Sequence, residues 1–411
     1  MFSLRNAATL PSRIPILSSF RLSFLPLQQI SSFGHQHFLR PYKHINHRPF
    51  QSTLSLKMPL RPAISSQSLG LPGTHALFPK LKAASEAGFQ GVEIFFDDLN
   101  VLANVYAQER LEDHGATERV DGEKDGEAGE SDLLKAAEDV RRWCDGFGLK
   151  IVALQPFRDF EGLKSAAEYQ KRVSGFKLWL RLCRKLDTQT ILIPSNTLQA
   201  DELDDSKIVP ALREAADLAG AADPPVQIAF EALAWATLVN TWDQAYSYVL
   251  EANRENLGIC IDTFNLAGKV YADPASPDGL TSNADQDFEE SIRRLKETVD
   301  VKKIFYVQFV DGERLDKPLV EGHPWYQENQ PARMTWSRNA RCFAFEKEGY
   351  LPVGKVMEVL VKDLGYDGWI SSEVFHRDLA DETREVPVEF AGRGMESWKR
   401  LQRELGGGEV I

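Results

Sequence analysis

Eight short apolar runs, spaced by amphipathic stretches, dominate the chain from residue 62 onward and leave few folds open to it. They are PAISS (62–66), GVEIFF (91–96), KIVALQP (150–156), TILIPS (190–195), VQIAFEAL (226–233), LGICIDTF (257–264), IFYVQFVDG (304–312) and WISSEVF (369–375). Most are continuous rather than alternating, the pattern of strands buried on both faces of a parallel sheet. The stretches between them have helical spacing. Trp242, Ala245, Tyr246, Val249 and Leu250 fall on one face of a helix that Thr241 can cap. Phe288, Ile292, Leu295 and Val299 line another, and Pro210 suits the first turn of a third. Eight such units in this length predict an α/β fold, a single (β/α)8 TIM barrel, in preference to an open doubly wound sheet.

Some segments stand outside the repeat. Residues 1–57 carry seven Lys/Arg and no Asp or Glu, and are rich in Ser, Leu and Phe. Either they are a mitochondrial transit peptide, or they lie upstream of a true start at Met58 and the protein is cytoplasmic. The barrel is assigned to residues 58–405. Within it, residues 108–131 are acidic and Gly-rich, and are expected to form a disordered loop insertion. Residues 312–350, with Trp325, Tyr326, Trp336 and Phe343, follow a strand's C-terminal end, which places them on the catalytic face. Residues 406–411 read as a flexible tail. The formal charge is −12, and becomes −19 once the leader's seven positive charges are removed (−12 − 7). That argues against nucleic acid as a partner, since phosphate neutralisation needs a basic surface. No apolar run reaches the roughly 18 residues of a membrane span. Cys144, Cys183, Cys260 and Cys342 are scattered without a C-x-x-C pair, and read as buried thiols of an intracellular protein.

The runs break their apolar pattern at informative places. Glu231 stands near the end of VQIAFEAL, Asp262 follows LGICI, Gln308 interrupts IFYVQFV and Glu373 interrupts WISSEVF. Ionised carboxylates are rarely buried without a partner. A barrel brings the C-terminal ends of its last four strands to one rim, where three carboxylates would repel one another. A divalent cation is the simplest compensation; the alternative is an Arg or Lys partner for each. The all-oxygen set of Glu231, Asp262, Gln308 and Glu373 suits a hard ion such as Mg²⁺ or Mn²⁺. Glu93 and Gln155 hold comparable positions on the second and third strands, as indirect supports of the metal, substrate contacts or core hydrogen-bonding groups.

The segments AISSQSLG, GVEIFFDDL, LQPFRDFEG, FEALAW, CIDTFN with AGKVYADP, VQFVDGERL, WSRNAR and SSEVFHRDL, in this order, resemble the fungal 3-dehydroshikimate dehydratases. These are sugar-phosphate isomerase/epimerase-like barrels related to xylose isomerase. The resemblance covers residues 60–402. It implies a hydro-lyase that converts 3-dehydroshikimate to protocatechuate in quinate and shikimate breakdown, with one divalent cation (Mg²⁺, Mn²⁺ or Co²⁺). It supports the same four ligands, although many barrel relatives have His where Gln308 stands. It also points to Arg158, Ser337 and Arg341 as substrate contacts. Guanidinium binds carboxylate in a planar fork, so Arg158, Arg338 and Arg341 all suit the substrate's carboxylate.

Removing the substrate's C4 proton needs a base. Where bacterial relatives place a histidine beside a ligand, this chain has Leu233 and Asn265. The candidates are His323, on the catalytic-face excursion, and the carboxylate Glu93, with His376 or a metal-bound hydroxide as further options. A sugar or inosose isomerase or dehydratase would use the same barrel and metal, and a non-catalytic binding protein would keep only the barrel. A multi-zinc DNA-repair endonuclease would need more histidines and a basic face than residues 58–411 supply.

Overall fold

The computed structural model describes residues 60–114, 128–382 and 385–406. The leader 1–57, the centre of the acidic stretch at 115–127 and tail residues 407–411 lie outside the described residues. Each of the eight apolar runs supplies a strand of one closed parallel barrel. These are β1 (Arg61–Ser65), β2 (Gly91–Phe95), β3 (Lys150–Gln155), β4 (Thr190–Pro194), β5 (Gln227–Glu231), β6 (Leu257–Asp262), β7 (Ile304–Gln308) and, last in the chain, β10 (Trp369–Ser372). The strands follow chain order round the barrel, and β10 pairs with β1 to close it.

Both faces of the strands are buried, which is why the runs are continuous. Ala63, Val152, Ala153, Leu192, Ala229, Cys260 and Tyr306 fill the barrel interior. Outward-facing residues such as Ile64, Ile191, Ile228 and Val307 pack under the helices. The helix signals hold except at Leu250, which, expected on the buried stripe with Trp242, Ala245, Tyr246 and Val249, turns past it, next to the inward Val249, and is 44% exposed. Thr241 is the N-cap of Trp242–Ala252, and its N–H donates to the Gln244 side chain at 3.2 Å. Phe288, Ile292 and Leu295 are buried on Ala284–Thr298, and Pro210 lies in the first turn of Ile208–Gly220.

Two expectations change. The run IFYVQFVDG is not one strand. The chain leaves the barrel at Phe309, whose N–H donates to the Ser371 carbonyl at 2.7 Å. It re-forms as β8 (Val310–Gly312), which pairs antiparallel with β9 (Arg341–Phe343). The expected disordered loop 108–131 is helical at both edges, because Phe96–His114 runs into it and Glu130–Phe147 begins inside it. The ribbon and the helix Ala332–Ala340 before β9 form the excursion over the barrel's C-terminal rim. Gly312 lets them close up: a Cβ there would come within 2.4 Å of the Trp336 ring. Glu313 clamps the ribbon to the end of β10, accepting from Arg377 and lying 2.9 Å from His376 Nε2.

Candidate metal centre and active site

The two-residue period of a strand positions the site. Ala153, Ala229, Cys260 and Tyr306 face into the barrel. Two residues further on, at the C-terminal rim, the same inward face carries Gln155, Glu231, Asp262 and Gln308. Glu373 follows β10 in the same way, two residues past the inward Ser371. All of these are buried.

Glu231, Asp262 and Glu373 each offer an oxygen within 4.8 Å of the others, so the three could hold a metal ion. Asp262 also caps the helix Thr263–Val270, accepting from Phe264 N at 2.7 Å and Asn265 N at 3.3 Å. Asn265 bridges two of the carboxylates: its Nδ2 donates to Glu231 Oε1 at 2.8 Å and Asp262 Oδ2 at 2.7 Å. Gln155 Nε2 donates to Glu373 Oε1 at 2.8 Å. Gln308 gives its Nε2–H to Glu93 at 3.0 Å, which leaves its Oε1 buried with no hydrogen-bond partner.

One guanidinium meets this cluster among the described residues. Arg341 Nη1 donates to Asp262 Oδ2 at 2.8 Å and to Glu373 Oε2 at 3.1 Å, while its Nε donates to Ser337 Oγ at 2.9 Å. The rings of Phe264 and Phe375 flank it at 4.5 and 5.3 Å. Burial pulls its pKa down, but attraction to Asp262, Glu373 and Glu231 outweighs that and holds it above the ordinary value. The carboxylates are under opposite pressure. Burial, then repulsion from Glu373 and Asp262, pushes Glu231 well above the usual carboxylate range. Burial also raises Glu373, against the pull of Arg341. A single +1 charge does not balance three buried carboxylates, and Gln308 Oε1 is an acceptor with nothing to accept from. Both facts fit a hard divalent cation.

Beside the cluster lies a cavity lined by Gln155, Arg158, Asp159, Ser195, Thr197, Leu233, Trp235, Met334, Ser337, Arg338, Arg341 and Phe375, to which Asp262 and Gln308 do not contribute. Glu231 and Glu373 reach this surface as well. Arg158 and Ser337 therefore line the cavity. Arg341 does too, but it is committed to two of the carboxylates, because it is the nearest cation to an uncompensated buried cluster. Arg158 is half exposed and only loosely paired with Asp97 at 3.5 Å, which leaves its guanidinium available.

The two candidate bases do not reach the cavity. His323 lies out on the excursion, its Nδ1 accepting from Trp325 N at 3.1 Å and its ring against Trp325. Glu93 is fully buried below the site, where Tyr306 and Ser371 hydroxyls and the Gln308 amide all donate to it. Burial raises its pKa against these three hydrogen bonds. His376 is occupied at both ring nitrogens, by Glu313 and by Asp378 N. Asn265, Trp235 and Asp159 were not singled out from the sequence. Asn265 had a readable signal, since a polar residue three past an N-cap Asp lies in its reach. Asp159 and Trp235 sit in irregular loops and had none.

Comparison with known proteins agrees with this fold. Residues 81–401 match the family model for xylose isomerase-like TIM barrels. The chain is 42% identical over 353 residues to a 3-dehydroshikimate dehydratase of Neurospora crassa, covering 85% of this chain and 95% of that one. It is 31% identical to a 3-dehydroshikimate dehydratase of Pseudomonas aeruginosa over 76% of this chain, but spans only 38% of that longer protein. A solved xylose isomerase-like TIM barrel/4-hydroxyphenylpyruvate dioxygenase fusion protein superposes with a TM-score of 0.59 at 27% identity, over 84% of this chain and 43% of that one. The chain belongs to the xylose isomerase-like TIM barrel family, in the group that includes the Neurospora 3-dehydroshikimate dehydratase.

Proposed function

We propose that this protein dehydrates 3-dehydroshikimate to protocatechuate, as a hydro-lyase of quinate and shikimate breakdown. The observation that carries the reading is 42% identity to the Neurospora enzyme across 95% of that enzyme's length. The cavity supports it independently, because its lining combines carboxylates with guanidinium groups. The substrate is a ring with a carboxylate, a C3 ketone and hydroxyls at C4 and C5. Dehydration removes the C4 proton and the C5 hydroxyl together as water, and transfer of a C6 proton to the C3 oxygen then makes the ring aromatic.

Glu231, Asp262, Gln308 and Glu373 would hold the cation, in line with the bare Gln308 oxygen and the crowded carboxylates. When bound, such an ion supplies Lewis-acid stabilisation of negative charge on the substrate's ring oxygens. Arg158 and Arg338 line the cavity and would bind the ring carboxylate in a planar fork. Ser337 holds Arg341 in place and presents the same wall. Gln155, which lines the cavity, gives its amide N–H to Glu373 and leaves its buried Oε1 without a partner. Asp159 is the lining carboxylate outside the acidic triad, paired with Arg172 at 3.1 Å, and would be a candidate to take the substrate's proton. The test is formation of protocatechuate from 3-dehydroshikimate, followed in the ultraviolet, with and without chelator. Loss of turnover on chelation, restored by Mn²⁺, is expected. Turnover of a sugar or inosose but not of 3-dehydroshikimate would overturn the assignment.

A further inference from the structure

We propose that Glu93 is a positioning residue that decides which end of the Gln308 amide faces the acidic triad. The inference rests on the reading that the triad and Gln308 hold a divalent cation. A primary amide is two-ended: one end donates, the other accepts. Gln308 pairs in register with Asp262 on β6, so carboxylate lies beside it. Left to itself, the amide would turn its NH₂ toward those carboxylates and present a donor where a cation needs an acceptor. Glu93 sits on the other side and prevents this, taking the Nε2–H at 3.0 Å.

Glu93 is built for that task. It is fully buried, Tyr306 Oη donates to the same Oε2 at 2.9 Å, and Ser371 Oγ donates to Oε1. Both Ser371 and Tyr306 come from strands that flank or carry Gln308, and Ser371 is its register partner. The carboxylate is therefore fixed by two hydroxyls and spends its remaining capacity on one amide hydrogen. The outcome is the bare, buried Gln308 Oε1. A histidine ligand has its ring nitrogen chosen by an outer carboxylate in the same manner. Here the choice is between oxygen and nitrogen, so an error does not weaken a ligand but replaces it with a repelling group.

The test uses full-length protein stripped of metal and titrated with Mn²⁺ alone, the free ion read by electron paramagnetic resonance. Wild type is expected to bind one Mn²⁺ per chain. Glu93→Gln is expected to weaken binding about 10–100-fold, as much as Gln308→Ala, although residue 93 does not touch the ion. A glutamine at 93 can donate to Gln308 Oε1 and turn the amide over. The reversed pair, Glu93→Gln with Gln308→Glu, restores one donor facing one acceptor and leaves an oxygen toward the triad, so its affinity should return to the wild-type level or beyond. Because a carboxylate at 308 offers oxygen at either end, the rescue supports Glu93 only where the reversed pair also binds Mn²⁺ more tightly than Gln308→Glu alone. If Glu93→Gln does not fold, the reversed pair against Gln308→Glu decides alone. Glu93→Gln binding Mn²⁺ like wild type, or a reversed pair no tighter than Gln308→Glu alone, overturns the inference while the metal reading stands. Wild type that leaves all Mn²⁺ free overturns the metal reading, and the inference with it.

Discussion

Replacing Arg341 with methionine separates the two ways this cluster can be balanced. Methionine keeps an unbranched side chain between the Phe264 and Phe375 rings and removes the charge. In the wild type, the guanidinium lies 2.8 Å from Asp262 and 3.1 Å from Glu373. At an effective dielectric of about 20, each contact is worth roughly 5 kcal/mol in gross attraction. Desolvation of the three groups cancels much of that. Removing one partner from such a buried cluster leaves uncompensated charge and costs about 3–5 kcal/mol. The metal-free variant should therefore be less stable by that amount in urea unfolding at pH 8. The loss should shrink near pH 5, where Glu231 and Glu373, already raised by burial, take up protons instead. Metal binding moves the opposite way. With all three carboxylates ionised, as a bound cation would hold them, the carboxylates and the guanidinium sum to −2 (−3 + 1), whereas the variant's cluster would stand at −3. Mn²⁺ should bind Arg341→Met more tightly, by roughly tenfold or more in calorimetric titration, and should recover most of the lost stability. Arg341→Lys keeps the charge and should lie between. A variant with wild-type stability when stripped of metal and unchanged Mn²⁺ affinity would show that the guanidinium does not compensate the cluster.

Further outcomes follow from groups placed away from or within the cluster. Glu231→Ala and Asp262→Ala should each lose bound metal in elemental analysis and lose turnover with it; metal retained at full occupancy would move the site elsewhere. His323→Ala should keep turnover close to wild type, because its ring lies against Trp325 rather than the cavity, and a hundredfold loss of kcat would contradict that placement. Glu161 accepts from Asn196 N at 2.6 Å, leaves its other oxygen unpaired, and is pushed up to about 8 by burial. Unfolded, it would release its proton near 4.5, so the stability it contributes is present below that pH and declines as the pH rises to about 8. The decline is at most roughly 5 kcal/mol. Glu161→Gln should match wild type at pH 4.5 and exceed it at pH 8 in urea unfolding, and equal pH profiles would refute the account.

The barrel was legible because burial on both faces writes itself into continuous apolar runs, and the four rim residues were legible because they interrupt those runs. What the runs could not convey is height inside the barrel. Glu93 and Glu231 look alike in sequence, each a carboxylate late in an apolar strand. Their levels differ because strands in a barrel are staggered. A register shift between Val92 and Glu93 sets Glu93 opposite Ala153 on β3, while Gln155, two residues further along, pairs with Phe95. Glu93 is thereby one inward layer lower than Gln155. That stagger buries a candidate base and keeps it out of the cavity lining. The same reasoning covers Arg341 and His323. Both belong to the excursion after β7, and local sequence places both near the catalytic face. Which one enters the site depends on the pairing of Gly312 with Arg341 in the β8–β9 ribbon and on the close approach of Gly312 to Trp336. That pairing directs Arg341 onto the acidic cluster and leaves His323 outside. It is a non-local contact, fixed by the fit of a glycine against an indole 24 residues further along the chain, and no spacing rule within either segment encodes it.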